Sequence, residues 1–274
     1  MIGQKRLLDE LNGLINEDKL PRFIIIIGDR GSQSDEIAPF IAGLMCANYV
    51  RLLDVKVDTI RNMIDEAYRF SEITIYNIAD ADNMSPQSRN ALLKVCEEPP
   101  NNAYFIMTLY DIGNTLNTIK SRATIFYMDK YSKDELSGYY DSKKYSGDKE
   151  LVVTLAETPG DVDILVSNVK EFYEYANGFI DNVTKVSGAE AFNLTNKVSI
   201  KDGDDRFDII LFFKIFQHIC IERASESKKA ELISKYCWSV IHAGFCIQDI
   251  VRKKGINRQM LLDDFVLELR KAWK

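Results

Sequence analysis

The apolar positions of this chain fall into two regimes that meet near Tyr127. In the first, short continuous apolar runs alternate with helical stripes. Leu7, Leu8, Leu11, Leu14 and Ile15 recur at helical spacing and predict an amphipathic helix over Gln4–Ile15. Phe23–Ile27 is apolar throughout and of strand length, as a central strand of a parallel sheet would be. Ile73–Ile78, Tyr104–Leu109 and Ala123–Tyr127 read as three further strands, rich in β-branched and aromatic residues. Between the first two of these, Ser85-Pro86 supplies an N-cap followed by proline at the first helical position. Ala91, Leu92, Val95 and Cys96 supply an apolar face, and Pro99-Pro100 stops the helix. Two strands flanking a helix predict a βαβ unit and a parallel sheet.

Beyond Tyr127 the pattern is helical. Ser132-Lys133-Asp134-Glu135 reads as an N-cap with acids in the first turn. Residues 150–169 hold two short helical patterns split by Thr158-Pro159-Gly160-Asp161, and from about Glu171 the helices lengthen, with Phe172, Tyr175, Ala176, Phe179 and Ile180 on one face. Ile209–Phe213 with Ile215 and Phe216 is apolar nearly all round, which predicts a helix buried between others. Polar loops are expected at Lys201–Asp205 and Ser225–Ser227. The last helix is expected to start near Asn257, with Leu261, Leu262, Phe265 and Leu269 on one face.

Composition narrows the function class. A length of 274 residues holds one large domain or two to three small ones, and 46% hydrophobic with 28% charged residues is ordinary for a soluble protein. A net charge of −6 argues against a wholly basic nucleic-acid binder and leaves room for a local basic patch. No apolar run reaches the roughly 20 residues of a spanning helix, and the N-terminus lacks a signal-peptide core. The cysteines at 46, 96, 220, 237 and 246 form no C-x-x-C pair and read as reduced, buried thiols. A zinc site built on Cys237 and Cys246 would need further ligands, and only His218 and His242 exist.

The candidate chemistry begins at Gly28-Asp29-Arg30-Gly31-Ser32-Gln33-Ser34-Asp35, between a strand and a helix. That is the context of a phosphate-binding loop, G-x-x-x-x-G-K-[ST]. Gly28 matches the first glycine. Gln33 stands for the second, Ser34 for the lysine and Asp35 for the metal-binding hydroxyl. Serine cannot neutralise phosphate, and Asp35 puts negative charge where phosphate would sit. The loop reads as a scaffold that has lost nucleotide binding. A working but unusual site would need another cation in place of the lysine.

The order ADADNMSPQSRNALLKVCEEPP, then a strand, then TIKSRA resembles the clamp-loader branch of the AAA+ proteins, and within it the delta-prime subunits of bacterial DNA polymerase III. The resemblance implies an α/β fold: an AAA+ P-loop-type parallel sheet with flanking helices over residues 1–129, an all-α lid over 130–169 and an all-α collar over 170–274. In this family the metal-binding strand ends in Asp-Glu-Ala-Asp. Here Ala79 stands at the magnesium-linked aspartate, and Asp80 stands for the glutamate. The sensor position falls at Leu109-Tyr110 and the lid arginine at Asp163. Together these imply a chain without ATPase activity of its own. Arg51–Asp58 followed by Thr59–Ala67 is similar to the strand and helix that precede the metal-binding strand. The four-cysteine zinc module of many bacterial members is missing, so no metal is expected.

Read alone, Arg122 is a surface arginine with a salt-bridge partner. The resemblance gives Ser121-Arg122 a different role, an arginine finger acting in trans on ATP held by a neighbour, with Ala123 in place of the usual cysteine. Gln87 and Arg89, at the start of their helix, are candidates for contact with DNA phosphates. The implied partners are the motor (gamma/tau) and delta subunits, the sliding clamp and primer-template DNA, with ATP and Mg²⁺ bound by partner subunits and a cytoplasmic location. Two alternatives stay open: an atypical AAA+ ATPase, and a scaffold of another DNA-replication ring, such as a divergent or phage-encoded loader.

Overall fold

The computed structural model describes residues 2–199, 209–252 and 256–274. The expected loop at Lys201–Asp205 lies outside the described residues. Five strands, β1 (Phe23–Ile27), β2 (Asn48–Arg51), β3 (Thr74–Ile78), β4 (Ala103–Leu109) and β5 (Thr124–Tyr127), form one parallel sheet in the order β2-β3-β4-β1-β5. Phe23 lies opposite Phe105, Ile24 opposite Thr124, and Thr74 opposite both Asn48 and Ala103.

The continuous apolar runs follow from burial on both faces. On one face Phe23, Ile25, Tyr76, Phe105 and Met107 pack with Ile60, Met63 and Ile64 of α3 (Val57–Arg69) and Leu92 and Val95 of α4 (Pro86–Glu97). On the other, Ile24, Ile26, Ile75, Tyr104 and Ile106 pack with Leu7 and Leu11 of α1 (Lys5–Asn16) and Ile37 and Ile41 of α2 (Ile37–Met45). The two sets alternate along each strand, as a period of two requires. Ser85 caps α4, its hydroxyl accepting from the Ser88 N–H at 3.0 Å, with Pro86 in the first turn. A four-residue helix, α5 (Asn117–Lys120), leads into β5.

The strand expected at Arg51–Asp58 lies earlier, at Asn48–Arg51. Those residues pair with Thr74–Asn77, and the pairing ends when the Leu52 N–H reaches the Asn77 carbonyl. The apolar positions that follow imitate a strand but belong to a turn. Asp54 Oδ1 accepts from the Lys56 N–H at 3.0 Å and from Thr59 Oγ1 at 2.6 Å, and α3 starts at Val57.

The remaining helices are α6 (Lys133–Ser142), α7 (Lys149–Leu155), α8 (Pro159–Asn182), α9 (Gly188–Asn193), α10 (Asn196–Ser199), α11 (Ile209–Glu226), α12 (Ala230–Arg252) and α13 (Arg258–Trp273). Ser132 and Glu135 form a capping box at the start of α6. The two short patterns expected over residues 150–169 are corrected: only α7 is short, and α8 runs 24 residues without a break. Val162, Leu165, Val169, Phe172, Ala176 and Phe179 keep one buried stripe along it, with no proline after its first position. Residues 169 and 170 therefore lie inside a helix.

Contacts gather the chain into two units, Met1–Tyr139 with Glu157–Gly160, and Tyr140–Ala156 with Asp161–Lys274. The second unit is helical and centred on aromatic rings. Phe213 and Phe216 lie 4.9 and 5.2 Å from Phe265, and Phe179 lies 5.5 Å from Phe212. Cys96, Cys220 and Cys246 are buried, whereas Cys46 and Cys237 are exposed, against the expectation that all are buried. Cys46 sits in the residue that ends α2, in the left-handed region, and Cys237 lies on the outer side of α12. Among the described residues no helix is long and apolar enough to cross a membrane.

Candidate functional site

The glycine loop leaves β1 at Gly28, whose N–H donates to the Leu109 carbonyl at 3.1 Å. Gly31 has φ +77° and touches the first turn of α8: its carbonyl accepts from the Gly160 N–H at 3.0 Å. Gln33, where the second glycine of the motif would stand, keeps the left-handed conformation at φ 61° and ψ 29°. Ser34 is buried, and residues Ser34–Glu36 form one tight 3-10 turn before α2. Asp35 is paired with Arg51, at the end of β2, across 3.2 Å.

The end of β3 completes this site. Ala79 lines it without a polar group to offer. Asp80 is left-handed at φ 51°, its N–H donates to Thr108 Oγ1 at 3.2 Å, and its carboxylate accepts from the Tyr110 hydroxyl. Burial and the Asp80 carboxylate push the Tyr110 hydroxyl far up from its ordinary value, so it stays a donor. The Arg30 guanidinium lies 5.2 Å from the centre of the Tyr110 ring. Asp82 is buried and accepts from the Tyr110 N–H at 2.7 Å and from Asn114 Nδ2 at 2.8 Å, which fixes the loop after β4. The space left between these groups is about 110 Å³, against roughly 300–1,000 Å³ for small-molecule pockets.

The structure thus brings Gly31, Ser34, Asp35, Ala79 and Asp80 together, as the sequence motifs require. It adds Arg30 and Arg51, to which sequence reasoning gave no part in the site, and Tyr110, known from the sequence only as the sensor position. Arg51 answers a charge far away in the chain, so no local pattern announces it. Asp163, at the lid-arginine position, accepts from the Tyr145 hydroxyl at 2.7 Å in the helical unit.

Ser121 and Arg122 lie elsewhere. Ser121 Oγ donates to the Thr118 carbonyl at 3.1 Å, which closes α5. Arg122 Nη1 donates to the same carbonyl at 2.9 Å and approaches Ser121 Oγ at 3.3 Å. Its Nη2 pairs with Glu97 Oε1, at the end of α4, across 2.9 Å. The Arg122 side chain remains 37% exposed. Gly28, Ala79 and Tyr110 follow the C-terminal ends of their strands, whereas Arg122 precedes the N-terminal end of β5, which runs parallel to β1. The two places are therefore roughly 20 Å apart along the sheet, at about 3.3 Å per residue.

The two helix-start candidates separate. Gln87 is exposed, while Arg89 is half-buried and turned back on the protein, with Nη2 donating to the Asp82 carbonyl at 3.2 Å and Nε buried without an acceptor. His218 pairs with Glu222 at 3.3 Å, and His242 stacks between Trp238 and Phe265.

Known proteins resemble this chain over the regions just described. The family model described as "DNA polymerase III, delta subunit" matches residues 50–132. A DNA polymerase III subunit gamma/tau of Mycoplasma genitalium is 23% identical over 76% of this chain and 38% of its own length. A DNA polymerase III subunit delta' of Yersinia pestis is 29% identical over 27% of this chain and 23% of its own length. The chain thus spans well under two thirds of these curated relatives. A gamma subunit-related protein of DNA polymerase III from Thermotoga maritima has a solved structure with the same fold. Its TM-score is 0.54 at 17% identity, over 97% of this chain and 99% of that one. The parallel sheet, the glycine loop and these matches point in one direction: over the regions described, the chain is similar to gamma/tau and delta' subunits of DNA polymerase III.

Proposed function

We propose that this chain is a non-catalytic, delta-prime-like subunit of a DNA polymerase III clamp loader, lending Arg122 to the ATP site of a neighbouring subunit while binding no nucleotide itself. The observation that carries the proposal is the contrast between the two ends of the sheet. At one end the nucleotide loop has no lysine. Asp35 and Arg51 satisfy each other, as do Asp80 and Tyr110, and two carboxylates face the place where phosphate would sit. These residues do not fit a magnesium nucleotide. At the other end a partly exposed arginine, held by a short turn and by Glu97, lies too far along the sheet to reach the loop of its own chain.

An arginine suits that service because its planar, permanently charged fork clamps phosphate oxygens. Supplied in trans, it stabilises charge in the transition state of phosphoryl transfer by a factor on the order of a thousand or more. On this reading the motor and delta subunits, the sliding clamp and primed DNA are the partners, ATP and Mg²⁺ belong to the motor subunits, and Gln87 is the better placed of the two DNA-phosphate candidates. The test is the ATPase rate of the loader reconstituted with clamp and primed DNA. Arg122→Ala is expected to lower it strongly with assembly intact, and an unchanged rate would remove the finger role.

A second reading, a nucleotide-binding motor, draws support from relatives named gamma/tau. It requires saturable ATP binding by the isolated chain, whereas the proposed function requires none.

A further inference from the structure

We infer that Glu97 is a positioning residue for Arg122, holding the guanidinium in the plane and direction from which it reaches a neighbour's phosphate; this rests on the finger role proposed above. Glu97 is the last residue of α4, and Arg122 follows α5, so the two side chains belong to separate elements that pack on one another. The guanidinium is held at both terminal nitrogens from different directions. Nη1 meets the Thr118 carbonyl at 2.9 Å and Ser121 Oγ at 3.3 Å, and Nη2 meets Glu97 Oε1 at 2.9 Å. One anchored nitrogen would leave the fork free to swing about that point. Two anchored nitrogens fix its plane.

Arginine carries five N–H donors in a rigid fork, so these contacts leave donors for a phosphate oxygen. Thr118, as a backbone carbonyl inside a turn, cannot move away, and Ser121 is its immediate neighbour. Glu97 is the only one of the three anchors that carries charge and comes from another helix. The pair is partly exposed, at 37% for Arg122 and 51% for Glu97. An exposed pair of this kind contributes little to folding stability. Its worth lies in orientation, because a reacting group displaced by about 1 Å loses on the order of a hundredfold in rate.

The experiment is a double-mutant cycle in the reconstituted loader, with Mg-ATP, clamp and primed DNA, reading kcat and KM for ATP. Glu97→Ala is expected to lower kcat about tenfold with KM unchanged, and Glu97→Gln, which keeps an acceptor oxygen, to recover part of the loss. In the Arg122→Ala background, Glu97→Ala is expected to cost nothing further. The isolated Glu97→Ala chain should melt as wild type does and assemble normally. Equal losses in both backgrounds would overturn the positioning role while leaving the finger intact. A kcat unmoved by Glu97→Ala, with Arg122→Ala strongly impaired, would do the same. An Arg122→Ala loader with full activity would remove the finger, and the positioning role with it.

Discussion

Gly160 donates its backbone N–H to the Gly31 carbonyl at 3.0 Å, and the two residues approach so closely that a Cβ on Gly160 would lie 2.6 Å from the Gly31 Cα. The glycine loop is held against the first turn of α8. Gly31 is doubly restricted, since its φ of +77° disfavours any side chain and a Cβ there would meet Thr158 Oγ1 at 2.8 Å. Gly31→Ala is expected to destabilise the protein by roughly 2–4 kcal/mol, from left-handed strain and overpacking together. Gly178→Ala, in the same long helix but with open space around it, should stabilise by about 0.5–1 kcal/mol. Urea unfolding of the two variants checks both signs.

Gln33 offers the opposite test. It holds a left-handed backbone at the position of the motif's second glycine, and its side chain accepts a 3.4 Å hydrogen bond from the Ile2 N–H. Relief of about 1–2 kcal/mol of strain, less about 0.5–1 kcal/mol for the greater freedom of unfolded glycine, leaves a gain. Gln33→Gly should therefore raise the melting temperature, and a lower one would show that the side chain has become structural.

Restoring the motif's lysine should not restore nucleotide binding. In Ser34→Lys the new ammonium would share the site with the Asp35 and Asp80 carboxylates, and Arg51 and Tyr110 would still occupy it. Titration with a fluorescent ATP analogue is expected to show no saturation. Micromolar binding would mean that the missing charge alone had silenced the site.

His242 sets a pH dependence in the helical unit. Burial against Trp238 and Phe265 lowers its pKa, the nearby Glu268 and Asp264 oppose that only in part, and its Nε2 has no partner among the described residues. The unfolded imidazole therefore takes up a proton at a higher pH than the folded one does. The stabilisation is complete above the ordinary histidine value of about 6.5 and is lost as pH falls from there toward the lower folded value. His242→Phe should flatten that part of the stability–pH curve while matching wild type at pH about 8, well above that value. An unchanged slope would assign it to carboxylates.

The sheet was legible because Phe23–Ile27 is apolar throughout and Tyr104–Leu109 is apolar but for the buried Thr108, as strands covered on both faces should be. The Ser85 cap and the Ser132–Glu135 box were legible because their partners lie three residues on. The segment after Arg51 misled because Leu52, Leu53, Val55 and Val57 imitate a strand, while the choice of strand is made by hydrogen bonds to β3 that no local pattern records. Two patterns fused into α8 because Pro159 starts a helix and nothing later stops it. The departures from the phosphate-loop motif were visible at Gln33, Ser34 and Asp35. The Arg51–Asp35 and Tyr110–Asp80 pairs that line the site were not, since the partners come from other strands and loops. Glu97 and Arg122 were noted as parts of two separate motifs, and the structure joins them in one ion pair.

Because all five strands point the same way, the sheet has a direction, and on the proposed function this chain is equipped at only one end of it. In an assembly where every active site is shared by two neighbours, such a subunit lends a group to one side and takes no nucleotide on the other. On that reading each copy adds to the number of chains without adding to the number of ATP molecules held. A row of motor subunits that meets this chain can go no further by the same kind of joint. Counting nucleotide bound per assembled particle at saturation would reveal that deficit directly, as a whole number.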